Sequence, residues 1–207
     1  MPRISRQRIH GFFRRVANNH ATAVQGRALE DLVCYLFGLV PGIAVAIRNR
    51  LNAFDTEEID VAFWNQRSQR GLDFLPSSIL LVECKNWNSP VGSQEVSYFA
   101  TRLRHRGCDH GILVAANGIT GTPEDLNRAH QQIAAALAEG QKILVLTRDE
   151  IERLGSTSGL VRLLKQKLCE LAVCGTLFLD AEPHQANRAA NRRNRPRRVA
   201  SRRPRRE

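Results

Sequence analysis

Residues 79–85 read Ile-Leu-Leu-Val-Glu-Cys-Lys, an unbroken apolar run that ends in two charged side chains. A short run of this kind is typical of a central strand that is covered on both faces of a sheet. Glu83 and Lys85 are two positions apart, so both side chains point to one face, with alpha carbons about 6.6 Å apart. Glu-x-Lys triplets often form ordinary ion pairs, but charge at the end of a buried strand is costly without a function. The stretch therefore predicts both a central strand and a site.

Apolar periodicity on either side of this strand predicts the rest of the fold. Alternating apolar residues indicate half-buried strands at 43–49 and 57–64, and wholly apolar runs indicate strands at 111–116 and 142–146. Amphipathic spacing and capping residues predict helices from Thr22 to Val40, from about Ser93, from Thr122 to Gly140, at the Thr147 and Glu150 pair, and over residues 158–172. Three adjacent strands followed by alternating helices and strands predict an α/β fold, with a mixed β-sheet flanked by helices on both faces.

The chain length of 207 residues allows one well-buried domain with terminal extensions. We expect a basic arm at residues 1–20, either loose or a short helix, a domain at residues 21–175, and a disordered tail at residues 176–207. Residues 181–207 hold ten arginines against two acidic residues, which is +8 of the formal net charge of +11. With almost no large apolar side chain, such a segment cannot bury enough surface to offset its ordering entropy.

The arginine-rich tail has two interpretations. It is either a solubilising terminus or an electrostatic arm that binds phosphates by releasing condensed counterions. In the second interpretation the tail residues that bind nucleic acid are Arg192, Arg193, Arg197, Arg198, Arg202 and Arg203.

Cysteine usage and hydropathy bear on the compartment. The five cysteines are an odd number without Cys-x-x-Cys spacing, which favours neither a disulfide framework nor a zinc ribbon. The first twenty residues lack the apolar core of a signal peptide, and no apolar run is long enough to cross a bilayer. We expect a soluble protein in a reducing, cytoplasmic setting, with no membrane partner.

The residue types at the end of the central strand suit phosphodiester hydrolysis. That reaction needs a cation for the charge growing on phosphate oxygens, a positioned water, and a group that eases deprotonation of the water. Asp60 supplies a second carboxylate if its strand lies beside residues 79–85, although Asp55, Glu57 and Glu58 are close enough in sequence to replace it. Two neighbouring carboxylates repel, and Mg²⁺ with its preference for hard oxygen ligands reverses that cost. Lysine suits the third role because, unlike arginine, its pKa is readily lowered.

Several stretches of the chain resemble the Mrr-like branch of the PD-(D/E)xK nucleases. The resemblance spans about residues 24 to 154 and is carried by Asp60-Val61, LVECKNW at 81–87, VGSQEV at 91–96, GILV at 111–114 and NGITG at 117–121. The Glu-Cys-Lys-Asn-Trp block followed by Gln94 is far more specific than Glu-x-Lys alone. The resemblance implies a restriction-endonuclease-like fold.

The same resemblance implies roles for individual residues. Asp60 and Glu83 would bind Mg²⁺, with Mn²⁺ as a substitute and the Cys84 carbonyl as a further ligand, and Lys85 would orient or activate the attacking water. Glu30 matches an acidic position on the family's first helix, Gln94 matches a glutamine at the start of a later helix, and cleavage would leave a 5′-phosphate. The residue before Asp60 is Ile59 rather than proline, a departure that many members of the superfamily also show. We expect no winged-helix domain of the kind that some Mrr-type enzymes use to read DNA, which leaves target-site specificity open.

The sequence thus predicts a metal-dependent DNA endonuclease. Its alternatives are a Holliday-junction resolvase or repair nuclease of the same fold, and a nucleic-acid-binding module that has lost catalysis. A homodimer and a partner protein that supplies specificity are both compatible with the sequence.

Overall fold

The computed structural model of the chain describes residues 2–18, 22–51, 58–85 and 88–178. Strands and helices alternate much as the sequence predicts. In chain order they are α1 (Arg6–Ala17), α2 (Thr22–Gly38), β1 (Ile43–Leu51), β2 (Glu58–Asn65), β3 (Ile79–Lys85), α3 (Ser93–His105), β4 (His110–Ala115), α4 (Arg128–Ala138), β5 (Lys142–Leu146), α5 (Arg148–Glu152) and α6 (Thr157–Cys174).

The strands form one mixed sheet in the order β1-β2-β3-β4-β5. The β1/β2 and β2/β3 pairs are antiparallel, whereas the β3/β4 and β4/β5 pairs are parallel. A parallel pair needs a crossover connection, and α3 and α4 occupy those two connections. The apolar run of residues 79–85 is the middle strand, so the predicted mixed α/β sheet is confirmed.

Helix α2 covers one face of this sheet. Phe37 of α2 stacks on Phe63 of β2, with ring centroids 5.2 Å apart. Phe63 is paired with Leu80, and adjacent residues of a strand point to opposite faces. Positions 81, 83 and 85 of β3 therefore point away from α2.

Helix α3 covers the other face, and a glycine lets it come close. Gly111 of β4 lies beside Leu81 of β3. A Cβ atom at Gly111 would stand 2.7 Å from both Phe99 Cζ and Leu103 Cδ1 of α3, which is nearer than packed carbon atoms approach. The missing side chain thus allows α3 to lie directly on the sheet.

Strand β1 forms an exposed edge. Apart from its first residue, all of its side chains are exposed, including Val45, Ile47 and Leu51. A register shift between Val45 and Ile47 marks a bulge in its pairing with β2. Both features are common at the margin of a sheet.

The basic N-terminal segment contributes to the core. Ile4, Ile9 and Phe13 are buried in the same apolar cluster as the strands. The backbone N–H of Ile4 donates to the Gly155 carbonyl at 3.1 Å, and that of Thr157 donates to the Pro2 carbonyl at 3.1 Å. Within the described residues 2–18, the expected arm thus packs on the domain, and its residues 6–17 form α1.

Residues at the start of the expected tail also pack. Thr176 and Leu177 are buried, and Thr176 Oγ1 hydrogen-bonds with His130 Nδ1 at 3.0 Å. The arginines predicted to bind nucleic acid, which lie between residues 179 and 207, fall outside the described residues.

Helix α4 begins six residues later than predicted. Thr122 Oγ1 donates to Asp125 Oδ2 at 2.8 Å, and Asn127 Oδ1 accepts from the Thr122 N–H at 3.1 Å. Short polar side chains that bond to nearby groups compete with helix formation. The capping-like sequence at Thr122 therefore forms a turn, and the helix starts at Arg128.

A buried ion pair fastens α6 to the α5 cap. Glu150 Oε2 accepts from the Thr147 N–H at 2.9 Å, in the capping box predicted from the sequence. Its other oxygen lies 2.6 Å from Lys167 Nζ, and Lys167 is 1% exposed.

None of the described helices combines the length and apolar character that a bilayer span requires.

We expect Lys167→Ala to lower the free energy of unfolding in urea by about 3–5 kcal/mol, because it leaves the Glu150 carboxylate buried without its cation. Lys165→Ala, on the same helix, removes an exposed cation over Phe74 and should cost at most about 1 kcal/mol. Equal losses in the two variants would show that the buried pair has no special structural role.

Candidate active site

The Asp60 and Glu83 carboxylates lie side by side where the pairing between β2 and β3 ends. The antiparallel pairs of these strands run from Trp64–Ile79 to Val61–Val82. One position further, the Asp60 side chain continues the hydrogen bonding, because its Oδ2 accepts from the Cys84 N–H at 2.6 Å. Asp60 is thereby fixed at the end of β3, next to Glu83.

The pKa of Asp60 is shifted by the charged groups close to it. Burial, first, and the negative charge of Glu83, second, raise the pKa of the Asp60 carboxyl to about 7. The Cys84 N–H and the Lys85 charge act in the opposite direction, while Glu30 adds to the increase. The predicted residues therefore share one electrostatic environment.

Glu83 is the most enclosed acid of this cluster and is held by two cations. It is 3% exposed. Lys85 Nζ lies 2.8 Å from Glu83 Oε1, as expected for two residues on one face of a strand. Arg102 Nη1, from α3, donates to both Glu83 oxygens at 2.8 Å. A buried carboxylate is stable only when it is paired in this way.

Glu30 approaches the cluster from α2. It is buried, and its Oε2 accepts from Arg48 Nη2 of β1 at 3.3 Å. The same Arg48 atom donates to Asp31 at 2.9 Å. The structure thus brings Asp60, Glu83 and Lys85 together and places Glu30 beside them.

Gln94 lies at the start of α3, where the sequence predicts it. Its side chain is exposed, and its Nε2 donates to the Tyr98 hydroxyl at 2.7 Å. This hydrogen bond runs along the helix rather than to the carboxylates. A role for Gln94 in the site stays a prediction.

Cys84 separates the two charged residues of β3. By strand alternation its thiol points to the α2 face, away from Glu83 and Lys85. Burial, with the Asp60 charge, raises the pKa of this thiol well above its usual value, so it stays protonated. Its N–H is used by Asp60, and the carbonyl as a metal ligand stays a prediction.

Some predicted positions lie beyond the described residues. These are Asn86 and Trp87 of the family-like block and the alternative acids Asp55 and Glu57. The third alternative, Glu58, is described and exposed at the start of β2.

Sequence reasoning missed Arg102 and Arg48. Arg102 follows Gln94 and Tyr98 at helical intervals of four, so the three share roughly one side of α3. That spacing was a usable signal. The abundance of arginine in the chain concealed it, because no single arginine stands out by type.

The donor set suits a hard divalent cation. Within the described ranges, no three His, Cys, Asp or Glu side chains form a group that could hold a metal by themselves. Mg²⁺ often binds through only one or two carboxylates and keeps several waters. Asp60 and Glu83 fit that requirement, and a cation would offset both the burial and the Glu83 repulsion that raise the Asp60 pKa.

Comparison with known proteins supports the resemblance seen in the sequence. The Mrr catalytic-domain family model, described as restriction endonuclease, matches residues 21–154. This range contains all five strands of the described sheet together with Glu30 and Gln94. Comparison with curated proteins gave no match.

We expect Mn²⁺ to bind about tenfold more tightly at pH 8 than at pH 6, because an ion bound to Asp60 must displace the proton that a pKa of about 7 retains at the lower pH. Electron paramagnetic resonance of unbound Mn²⁺ measures the affinity directly. Asp60→Asn should abolish this pH dependence, and Asp73→Asn, at an exposed acid, should preserve it. An affinity of the wild-type chain that does not change with pH would contradict the assignment.

Proposed function

The chain belongs to the Mrr-type restriction endonuclease family, and on that premise we propose that it is a metal-dependent endonuclease that hydrolyses DNA phosphodiester bonds. The observation that carries the proposal is the contact of Glu83 with Lys85 beside Asp60 at the end of β3. One basic group and two acidic groups therefore lie close enough together to act on a single phosphate.

Asp60 and Glu83 would hold the divalent ion, which we take to be Mg²⁺ with Mn²⁺ as a substitute, and the Cys84 carbonyl would be a further ligand. What such an ion supplies is neutralisation of charge on the phosphate oxygens and a lower pKa for water. Asp60 is oriented for this role by the Cys84 N–H. Its position therefore does not depend on a flexible loop.

Lys85 would orient the attacking water and ease its deprotonation. Its ammonium group lies 2.8 Å from Glu83 Oε1, and its side chain is 24% exposed, so both solvent and a phosphate can reach it. An arginine guanidinium stays protonated in proteins, whereas an ammonium group can exchange its proton. Lysine is therefore the residue type that can share a proton here.

Glu30 and Gln94 would support the site from two sides. Glu30, held by Arg48, adds negative charge near Asp60 and would favour a bound cation. Gln94 and Tyr98, on the exposed side of α3, would contact the nucleic acid. The arginines of residues 181–207 would add affinity that does not depend on sequence.

We expect Lys85→Ala to reduce nicking of supercoiled plasmid by at least about a hundredfold in the presence of Mg²⁺, as for loss of a group that assists proton transfer. The Lys165→Ala variant should cleave like the wild type, and EDTA should stop both. Equal cleavage by Lys85→Ala and wild type would remove Lys85 from the mechanism. A four-way junction cut far faster than duplex by the wild type would favour a junction-resolving nuclease.

Removal of residues 179–207 should weaken the binding of DNA of every sequence to about the same extent. The chain loses its ten tail arginines, so fewer counterions are released on binding and the dependence of the affinity on salt becomes shallower. Fluorescence anisotropy over a series of NaCl concentrations tests this with the full-length chain beside the truncated one. An unchanged salt slope would favour the solubilising interpretation.

A further inference from the structure

The contact between Arg102 and Glu83 has no counterpart in the roles assigned so far. One guanidinium nitrogen bridges both oxygens of the carboxylate at 2.8 Å, and Lys85 shares one of these oxygens. Both oxygens of Glu83 are therefore engaged by positive charge from within the chain.

The position of Arg102 is set by the packing of α3. Its neighbours Phe99 and Leu103 are buried on the sheet at Gly111, so the helix is held close to β4. A side chain on this turn reaches across to β3. The pair is thus built into the α3 interface and differs from a mobile surface ion pair.

A divalent ion at the proposed site needs the same oxygens that Arg102 uses. A carboxylate offers about four lone pairs, and the contacts from Arg102 and Lys85 occupy most of those of Glu83, so metal ligation competes with the hydrogen bonds from Arg102. The positive charges of Arg102 and of the metal ion also repel each other. We propose that Arg102 is a positioning residue that competes with the divalent cation for Glu83 and so sets the cation affinity of the site. This inference rests on the proposed metal-dependent function and goes beyond it.

The charges of the cluster support competition. The Glu83 carboxylate faces the positive charges of both Lys85 and Arg102, so its own charge is neutralised without an added cation. Loss of Arg102 leaves Glu83 with its contact to Lys85 and releases Glu83 oxygens for ligation.

The direct test is Mn²⁺ binding to the full chain without DNA, followed by electron paramagnetic resonance. We expect Arg102→Gln to bind Mn²⁺ about tenfold more tightly than the wild type, a change of about 1.4 kcal/mol. Arg102→Lys should stay within about threefold of the wild type, because the ammonium group also neutralises Glu83. An affinity of Arg102→Gln equal to or weaker than that of the wild type overturns the proposal.

Arg104→Gln is the matched control for the loss of one positive charge from α3. Arg104 pairs with Glu139 on the exposed side of the helix and does not belong to the cluster. Its Mn²⁺ affinity should stay within about twofold of the wild type, because exposed charges are screened by solvent and salt. If Arg104→Gln tightens binding as much as Arg102→Gln, net charge explains the effect and the competition proposal fails.

A double-mutant cycle identifies the group through which Arg102 acts. In a Glu83→Gln background, Arg102→Gln should leave Mn²⁺ affinity unchanged, because no carboxylate remains to compete for. Thermal unfolding of every variant confirms that each is folded, and Arg102→Met offers a second neutral side chain if the glutamine variant is not. Persistent tightening in the Glu83→Gln background contradicts competition at Glu83.

The cleavage assay separates failure of this inference from failure of the proposed function. If the wild type cleaves DNA with Mg²⁺ while Arg102→Gln binds Mn²⁺ no better, the inference alone fails. If neither chain binds millimolar Mn²⁺ and the wild type does not cleave, both fail. If Arg102→Gln binds Mn²⁺ more tightly but the wild type leaves plasmid intact, the competition stands and the nuclease proposal fails.

Discussion

The antiparallel pairing of β2 with β3 sets two acidic residues side by side, and the surrounding groups offset the repulsion between them. Burial and the charge of Glu83 raise the pKa of Asp60 to about 7, although the Cys84 N–H that it accepts acts in the opposite direction. Glu83 is surrounded by an ammonium and a guanidinium group. The groups that offset the repulsion between these two acids therefore come from the sheet and from one covering helix.

Both layers of helices take part in this arrangement. The helix on one face brings Glu30, which pairs with Arg48 of strand β1, and the helix on the other face brings Arg102. Neighbours this distant in sequence meet only when the whole sheet is assembled. The site is therefore a property of the complete fold, and a β2–β3 hairpin by itself would lack most of its counter-charges.

The sequence predicts the strands and the Glu83–Lys85 pair because both follow from local rules. An unbroken apolar run marks the central strand, and a two-residue spacing places Glu83 and Lys85 on one face. Contacts between distant residues were not predictable in the same way: Arg102 is nineteen positions from Glu83 and is one of many arginines. The predicted start of α4 was wrong because side-chain hydrogen bonds around Thr122 outweighed the apparent capping pattern of that residue.

Arg48 links the chemistry of the site to the colloidal behaviour of the protein. It lies on the uncovered edge strand β1, where charged side chains discourage strand-to-strand association with other molecules, and its guanidinium also holds Glu30. A substitution there removes a gatekeeper against aggregation together with a counter-ion of the acidic cluster. A change in the tendency to associate through the edge strand and a change in the charge around the site would therefore arise together.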